Sequence, residues 1–224
     1  MTTSSRPDAG APAAVSEPEP APPAPDEILG AKLAALIRLK LDVSVTHLYS
    51  RGVRRHMRAA LRAGATRDEV LAVVKLSTVI GIHALAVGMP ILNQELAYAR
   101  MPAEPAISAR PTPVCDALRR DGNFNPDWEA IHEAAPDWLE GFLATGLGIW
   151  RDGVLPPLWI ELLCIAGDAA LTHMYTPGTR RHIRAALALG AEREQIRAVL
   201  EIVGRQSRDA YEASLPVLDD VCAL

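Results

Sequence analysis

Aromatic side chains are too scarce here to favour a sheet: two Phe, four Tyr and four Trp make up 4% of the 224 residues. Ala, Leu and Arg are abundant instead, which is a helical composition. No segment alternates apolar and polar residues convincingly enough to read as a strand. Cysteine is nearly missing. Cys115, Cys164 and Cys222 lie far apart, so neither a disulfide framework nor a Cys-based zinc site is indicated. No basic-plus-apolar secretory leader opens the chain, and no run of about 18 apolar residues could span a bilayer. Excess positive charge is missing too. A formal charge of −4 and a pI near 5.9 argue against a nucleic-acid partner. These absences leave a soluble cytoplasmic protein with no membrane role, long enough to bury a sizeable core in one or two domains.

What is present is a repeat. Thr46-His47-Leu48-Tyr49-Ser50-Arg51-Gly52-Val53-Arg54-Arg55-His56-Met57-Arg58-Ala59-Ala60-Leu61, closed by Gly64-Ala65, returns 126 positions later. The second copy reads Thr172-His173-Met174-Tyr175-Thr176-Pro177-Gly178-Thr179-Arg180-Arg181-His182-Ile183-Arg184-Ala185-Ala186-Leu187, closed by Gly190-Ala191. The register holds without a gap from Asp42/Asp168 to Leu92/Leu218, with roughly two positions in five identical. Composition alone would not keep Thr, His, Tyr and Arg in step that long. The fold class expected is all-α: two tandem helical repeats with pseudo-two-fold symmetry.

The boundaries follow from turn and cap chemistry. Residues 1–25 are rich in Pro, Ala, Ser and Glu and read as a disordered tail, because they cannot bury enough apolar area to offset ordering entropy. Residues 26–100 form the first repeat, 101–126 a linker of prolines and turn residues, and 127–224 the second repeat. The first helix is expected from Asp26 to about Leu48, and the next from an N-cap at Ser50 to Gly64. In the copy, Thr176 is the expected N-cap with Pro177 at the first helical position. Thr66-Arg67-Asp68-Glu69 has capping-box spacing ahead of an apolar helix to about Ile82, and a further short helix follows Pro90. The second repeat gains an extra helical lead-in carrying Trp128 and then Trp138 to Trp150, and Pro157 opens the match to residues 31–48. After Gly190 one helix runs to Val203 and another from Tyr211 to Val221.

The repeated polar residues are the candidate chemistry. Asp42 and Thr46 are four apart and would share a helix face, as would Glu161, Asp168 and Thr172. A carboxylate one turn before a Thr-His pair is placed to orient an imidazole and fix its tautomer, which a general base needs. The catalytic candidates are therefore Asp42, His47, Tyr49 and His56, with Glu161, Asp168, His173, Tyr175 and His182 in the copy. Thr46, Arg54, His83, Thr172 and Arg180 are the candidate substrate contacts, since a guanidinium fork suits a carboxylate. Arg54 and Arg58 equally form an i,i+4 stripe that would face solvent. His47, His56 and His83 also supply three imidazoles, and position 83 becomes Asp209 in the copy. A divalent transition ion would accept either set, but no HxxxH or HxH spacing forces them together, so no metal and no cofactor are assigned.

The run His56-Met57-Arg58-Ala59-Ala60-Leu61-Arg62-Ala63-Gly64-Ala65-Thr66-Arg67-Asp68-Glu69-Val70, repeated from His182 to Ile196, resembles the carboxymuconolactone decarboxylase family. That family includes the AhpD-like alkylhydroperoxidases. Val79-Ile80-Gly81-Ile82-His83-Ala84 is similar to the small-residue helix that follows there. The resemblance covers nearly all of residues 30–98 and 137–221 and implies an AhpD-like fold. Peroxidase members carry a Cys-x-x-Cys pair whose second Cys lies four residues before this His. Tyr49 and Gly52, and Tyr175 and Gly178, stand at those positions, so thiol peroxidase chemistry has no route. The decarboxylase branch lacks those cysteines too and works without a cofactor on a small lactone carboxylate. By resemblance, a cofactor-independent acid/base lyase, isomerase or hydrolase on a small-molecule acid or lactone is expected. Homo-oligomers, trimers or another pseudo-hexameric assembly, are implied as well. The alternatives are a non-catalytic binding or assembly protein on a degenerate fold, in which the His/Tyr/Arg set joins helices, and a His-site metal enzyme.

Overall fold

In the computed structural model, residues 22–101, 111–122 and 124–223 are described. The tail expected over residues 1–25 lies outside them except for residues 22–25, and so does the middle of the 101–126 linker. The fold is all-α, with no strand among the described residues. In chain order the helices are α1 (Pro25–Leu29), α2 (Ala31–Asp42), α3 (Ser50–Arg62), α4 (Arg67–Thr78), α5 (Ile82–Tyr98) and α6 (Pro113–Arg120). Then come α7 (Glu129–Ala134), α8 (Pro136–Gly146), α9 (Pro157–Ala169), α10 (Thr176–Ala188) and α11 (Arg193–Cys222).

Two hairpins, α2–α3 and α9–α10, carry the repeated sequence, and α2 packs on α9. Leu36, Ile37 and Leu39 of α2 and Leu162, Leu163 and Ile165 of α9 are fully enclosed in one core that also takes Val73 of α4 and Val199 of α11. Each such side chain contributes about 1.5–3 kcal/mol by leaving water. A second, smaller core joins Ile82 of α5 to Leu118, Trp128, Ile131, Leu139 and Leu143 of the lead-in helices. The lead-in therefore packs on the first repeat's α5.

Helix ends follow the local chemistry in both copies. Gly64 and Gly190 take φ of +86° and +87°. Ala65 N–H bonds the Ala60 carbonyl and Ala191 N–H the Ala186 carbonyl, both at 2.9 Å, so each helix closes with a Schellman turn that needs glycine. The Thr66/Glu69 capping box forms, with Glu69 N–H donating to Thr66 Oγ1 at 3.1 Å and Thr66 N–H to Glu69 Oε2 at 2.6 Å.

Several expectations need correction. The first helix is broken at Gly30 (φ +78°) and stops at Asp42 rather than Leu48, because the chain turns there to bring Tyr49 N–H onto the Asp42 carbonyl at 3.0 Å. Ser50 and Thr176 are the first helical residues, preceded by Tyr49 and Tyr175 as N-caps, and no side chain caps either end. Pro90 does not start a helix but lies inside α5, and Pro216 lies inside α11, which runs unbroken through the gap expected between Val203 and Tyr211. A proline removes one backbone bond, and the rest of each long ladder survives it. The near-continuous helical run Arg67–Tyr98 is also long and apolar enough to cross a membrane by length and composition, with a mean hydropathy of 2.1 in its best window. Of that window, 44% is buried within the protein.

Candidate active site

Each hairpin carries its polar residues at the turn between its two helices, and the turn is built the same way twice. After α2 and α9 end, Leu48 (φ +45°) and Met174 (φ +50°) take the left-handed conformation that non-glycine residues rarely adopt. Tyr175 N–H then bonds the Asp168 carbonyl at 2.8 Å, matching Tyr49 on Asp42. One turn into the next helix, Gly52 and Gly178 face those aspartates. A Cβ at Gly52 would stand 2.6 Å from Asp42 Cγ, and one at Gly178 2.8 Å from Asp168 Cγ. The carboxylate therefore fills the space that a side chain at either position would need.

In the first repeat, His56 Nδ1 lies 2.5 Å from Asp42 Oδ2, while His47 Nε2 is 3.8 Å from Asp42 Oδ1. Asp42 thus orients His56 more closely than His47. The expected Asp42–Thr46 helix face does not exist, since α2 ends at Asp42, and Thr46 bonds Ser44 Oγ instead. A polar cavity of about 240 Å³ opens beside Asp42 and His56, rimmed by Arg55 and by Arg205 and Asp209 of α11. Tyr49 does not line it.

The second repeat is built more richly. Glu161 and Asp168 share one face of α9, two turns apart, as their spacing of seven predicts. Thr172 falls beyond the end of α9 and is exposed. Glu161 Oε2 accepts from His182 Nδ1 at 2.7 Å, and Glu161 Oε1 accepts from Trp150 Nε1 at 3.3 Å. Arg181 Nη2 lies 3.1 Å from His182 Nε2. A guanidinium only donates, so these partners assign the His182 proton to Nδ1 and the lone pair to Nε2. Asp168 Oδ2 is 3.7 Å from that same Nε2. Burial pushes the Asp168 carboxyl up to about 6, against the pull of His182, Lys40 and Arg181.

His83 arrives from the other repeat. It stands in the first turn of α5, its Nδ1 2.7 Å from His173 Nε2, and its ring stacks on Tyr175 with centroids 3.8 Å apart. Burial first, and His173 next, hold the His83 imidazole down at about 3, so it is neutral. His83, Glu161, Asp168, Tyr175, Arg181 and His182 open onto a cavity of about 430 Å³, which His173 does not line. Its apolar wall comes from α4, α5 and the lead-in helices through Leu76, Ile80, Leu118, Trp128 and Phe142. That size and lining suit a small organic ligand. The two junctions are completed crosswise: α5 of the first repeat serves the second, and α11 of the second lines the first.

The model of the carboxymuconolactone decarboxylase family matches residues 136–219. A solved structure from Burkholderia xenovorans LB400, described provisionally as a gamma-carboxymuconolactone decarboxylase subunit, is 36% identical with a TM-score of 0.78. The match covers 88% of this chain and 80% of that one. The chain belongs to the carboxymuconolactone decarboxylase family. A comparison with curated proteins gives no match.

Tyr49 and Gly52, like Tyr175 and Gly178, put no thiol at either junction. Cys164 borders the larger cavity, but it is buried and its thiol is pushed well above the usual range by burial and by Glu161. Of the arginines nominated from the sequence, Arg54 and Arg180 are exposed and line neither cavity; Arg55 and Arg181, one residue on, do. Lys40 was missed altogether. Its side chain is 1% exposed, its Nζ donates to the Leu76 carbonyl at 3.3 Å, and it borders the larger cavity. The signal was available: Leu33, Leu36, Ile37 and Lys40 follow the spacing of one buried helix face, where a lysine is out of place. Trp150, which holds Glu161, had no such signal.

Proposed function

We propose that the chain is a carboxymuconolactone decarboxylase-like enzyme that moves protons on a small organic acid or lactone in the 430 Å³ cavity. The reaction class is a lyase, isomerase or hydrolase step. The observation that carries this reading is the Glu161–His182 pair, one carboxylate oxygen on the imidazole at 2.7 Å and the other on Trp150, with Arg181 against the remaining ring nitrogen.

Glu161 fixes the His182 tautomer and steadies the imidazolium once it forms. Arg181 covers Nε2 in the free protein. An incoming substrate carboxylate is the stronger acceptor and draws the guanidinium onto itself by charge-assisted bonds. That exchange bares Nε2 as the base only when substrate is present. The Tyr175 hydroxyl, held in its phenol form by burial, donates to a developing oxyanion. The apolar wall excludes water and strengthens each of these interactions. None of these proton transfers requires a cofactor. In the first repeat, Asp42–His56 is read as a structural counterpart, since its cavity is smaller and polar.

The test is turnover of a panel of small lactones and unsaturated or keto carboxylates, followed by carbon dioxide release and ring opening. His182→Asn and Glu161→Gln should lower kcat by about 10²–10⁴-fold, and Arg181→Ala should mainly raise KM. Undiminished turnover in both the His182 and Glu161 variants would sink the reading.

A further inference from the structure

Beside the same cavity lies a cluster that the acid–base reading leaves unused, two of whose members, His83 and Asp168, line it. His83 stands in the first turn of α5, Asp168 in the last turn of α9 and His173 in the turn that follows. Their donor atoms all lie within 4.8 Å of one another. His83 Nδ1 is 2.7 Å from His173 Nε2 and 3.8 Å from Asp168 Oδ1. The Asp168 side chain is 4% exposed, and its Oδ2 is buried without any hydrogen-bond partner. A buried carboxylate oxygen left bare is expensive, and most such groups in folded proteins are satisfied. Two imidazole nitrogens aimed at one another can share only one proton. A cation between these side chains would replace that shared proton and take Asp168 Oδ1 as its third donor, while Oδ2 faces His182 Nε2 at 3.7 Å.

We propose that His83, Asp168 and His173 hold one divalent transition-metal ion. Two imidazoles and a carboxylate are a donor set that zinc and ferrous ions accept, with further positions left for water or substrate. An ion about 2.0–2.2 Å from each donor sets tetrahedral donors about 3.3–3.6 Å apart. The 3.8 Å pair is near that spacing, the imidazoles must open from 2.7 Å, and His173 must draw in on Asp168 from within 4.8 Å. The surroundings hold the ligands in place: Tyr175 stacks on the His83 ring, and Gly178 leaves the room Asp168 occupies. The first repeat has Asp42 and His47 at the matching positions but Asp209 in place of His83. Among the described residues no comparable trio gathers there, so the site occurs once per chain.

The ion would face the cavity within reach of a bound carbonyl or carboxylate oxygen, where it would act as a Lewis acid beside the His182 base. That role rests on the acid–base reading; the binding itself does not.

The experiment uses the full, untagged chain stripped with chelator and dialysed. Zinc is titrated by calorimetry and cobalt(II) by its visible absorption, and thermal unfolding is recorded with and without zinc. One zinc per chain is expected, together with a higher Tm and cobalt bands that saturate at the same ratio. His83→Gln and His173→Gln should each weaken zinc by about 100-fold or more, and His132→Gln, which lies outside the cavity, should not. His173 is half-buried, so that variant tests the site even where Asp168→Asn fails to fold. No zinc binding, or binding unchanged in both the His83 and His173 variants, overturns the proposal. Zinc binding without any turnover would remove the acid–base reading and leave the metal site standing; turnover without zinc binding would do the reverse.

Discussion

Gly178 leaves no room for a side chain, because the Asp168 carboxylate occupies the position of its missing Cβ. Gly178→Ala must push Asp168 aside, which should cost about 1–3 kcal/mol of stability and lower turnover. Chemical denaturation reads the first and steady-state kinetics the second. An unfolding free energy within about 0.5 kcal/mol of the parent would show that the wedge is loose. Lys40 makes the opposite case. Burial holds its amine below the ordinary 10.5, so the unfolded chain keeps this proton more tightly than the folded one. Its contribution to stability therefore worsens as pH drops from 10.5 towards the lowered folded value and is flat below it. Lys40→Met, similar in length and apolar, should raise Tm at neutral pH and flatten that slope, while the cavity loses its cation. A lower Tm in Lys40→Met would contradict this. The thiols follow the same logic of burial. Cys115 is pushed up to about 12 and Cys164 higher still, and only Cys222 is exposed. A thiol reagent at neutral pH should label one cysteine in the native protein and three after denaturation.

At the scale of elements, equivalent helix starts have diverged in strength. Thr66 caps α4 through its hydroxyl, whereas the Glu192 side chain makes no cap bond at α11, and only Gln195 reaches back to the Glu192 N–H at 3.0 Å. Thr66→Ala should cost about 1 kcal/mol, and Glu192→Ala close to nothing. Equal losses in thermal unfolding would contradict the difference in capping. Proline shows how far an element can override its own punctuation. Pro90 and Pro216 occupy matching positions and both lie inside helices, so the duplication kept an interruption that neither helix obeys.

For the whole molecule, apolar area remains uncovered. Val87, Ile91 and Leu92 of α5 and Val217, Leu218 and Val221 of α11 are exposed. Helix faces this apolar are usually buried in association. We expect a homo-oligomer in light scattering on eluting protein. Ile91→Glu combined with Leu218→Glu should dissociate it. A parent chain that elutes as a monomer would contradict the expectation.

The sequence alone determined what depends on neighbours a few residues away. The all-helical composition, the Thr66 capping box, the glycine turns at Gly64 and Gly190 and the shared face of Glu161 and Asp168 all follow from local residue types and spacing, and the repeated stretch is legible by laying the sequence against itself. The missing thiols at Gly52 and Gly178 were equally legible, because a residue type is readable without a fold. Tertiary structure decided which parts meet. His83 and His173 stand 90 positions apart and touch only because α5 packs across the α9–α10 junction. Helical periodicity says which residues share a face, never which distant helix that face meets. For the same reason the two junctions differ in a way their shared sequence conceals. The lead-in helices and α5 wall a cavity over one, while α11, with Asp209 in place of His83, lines the other. Lys40 lies between the two cases: its position on an apolar face was readable, but that it borders a cavity was not.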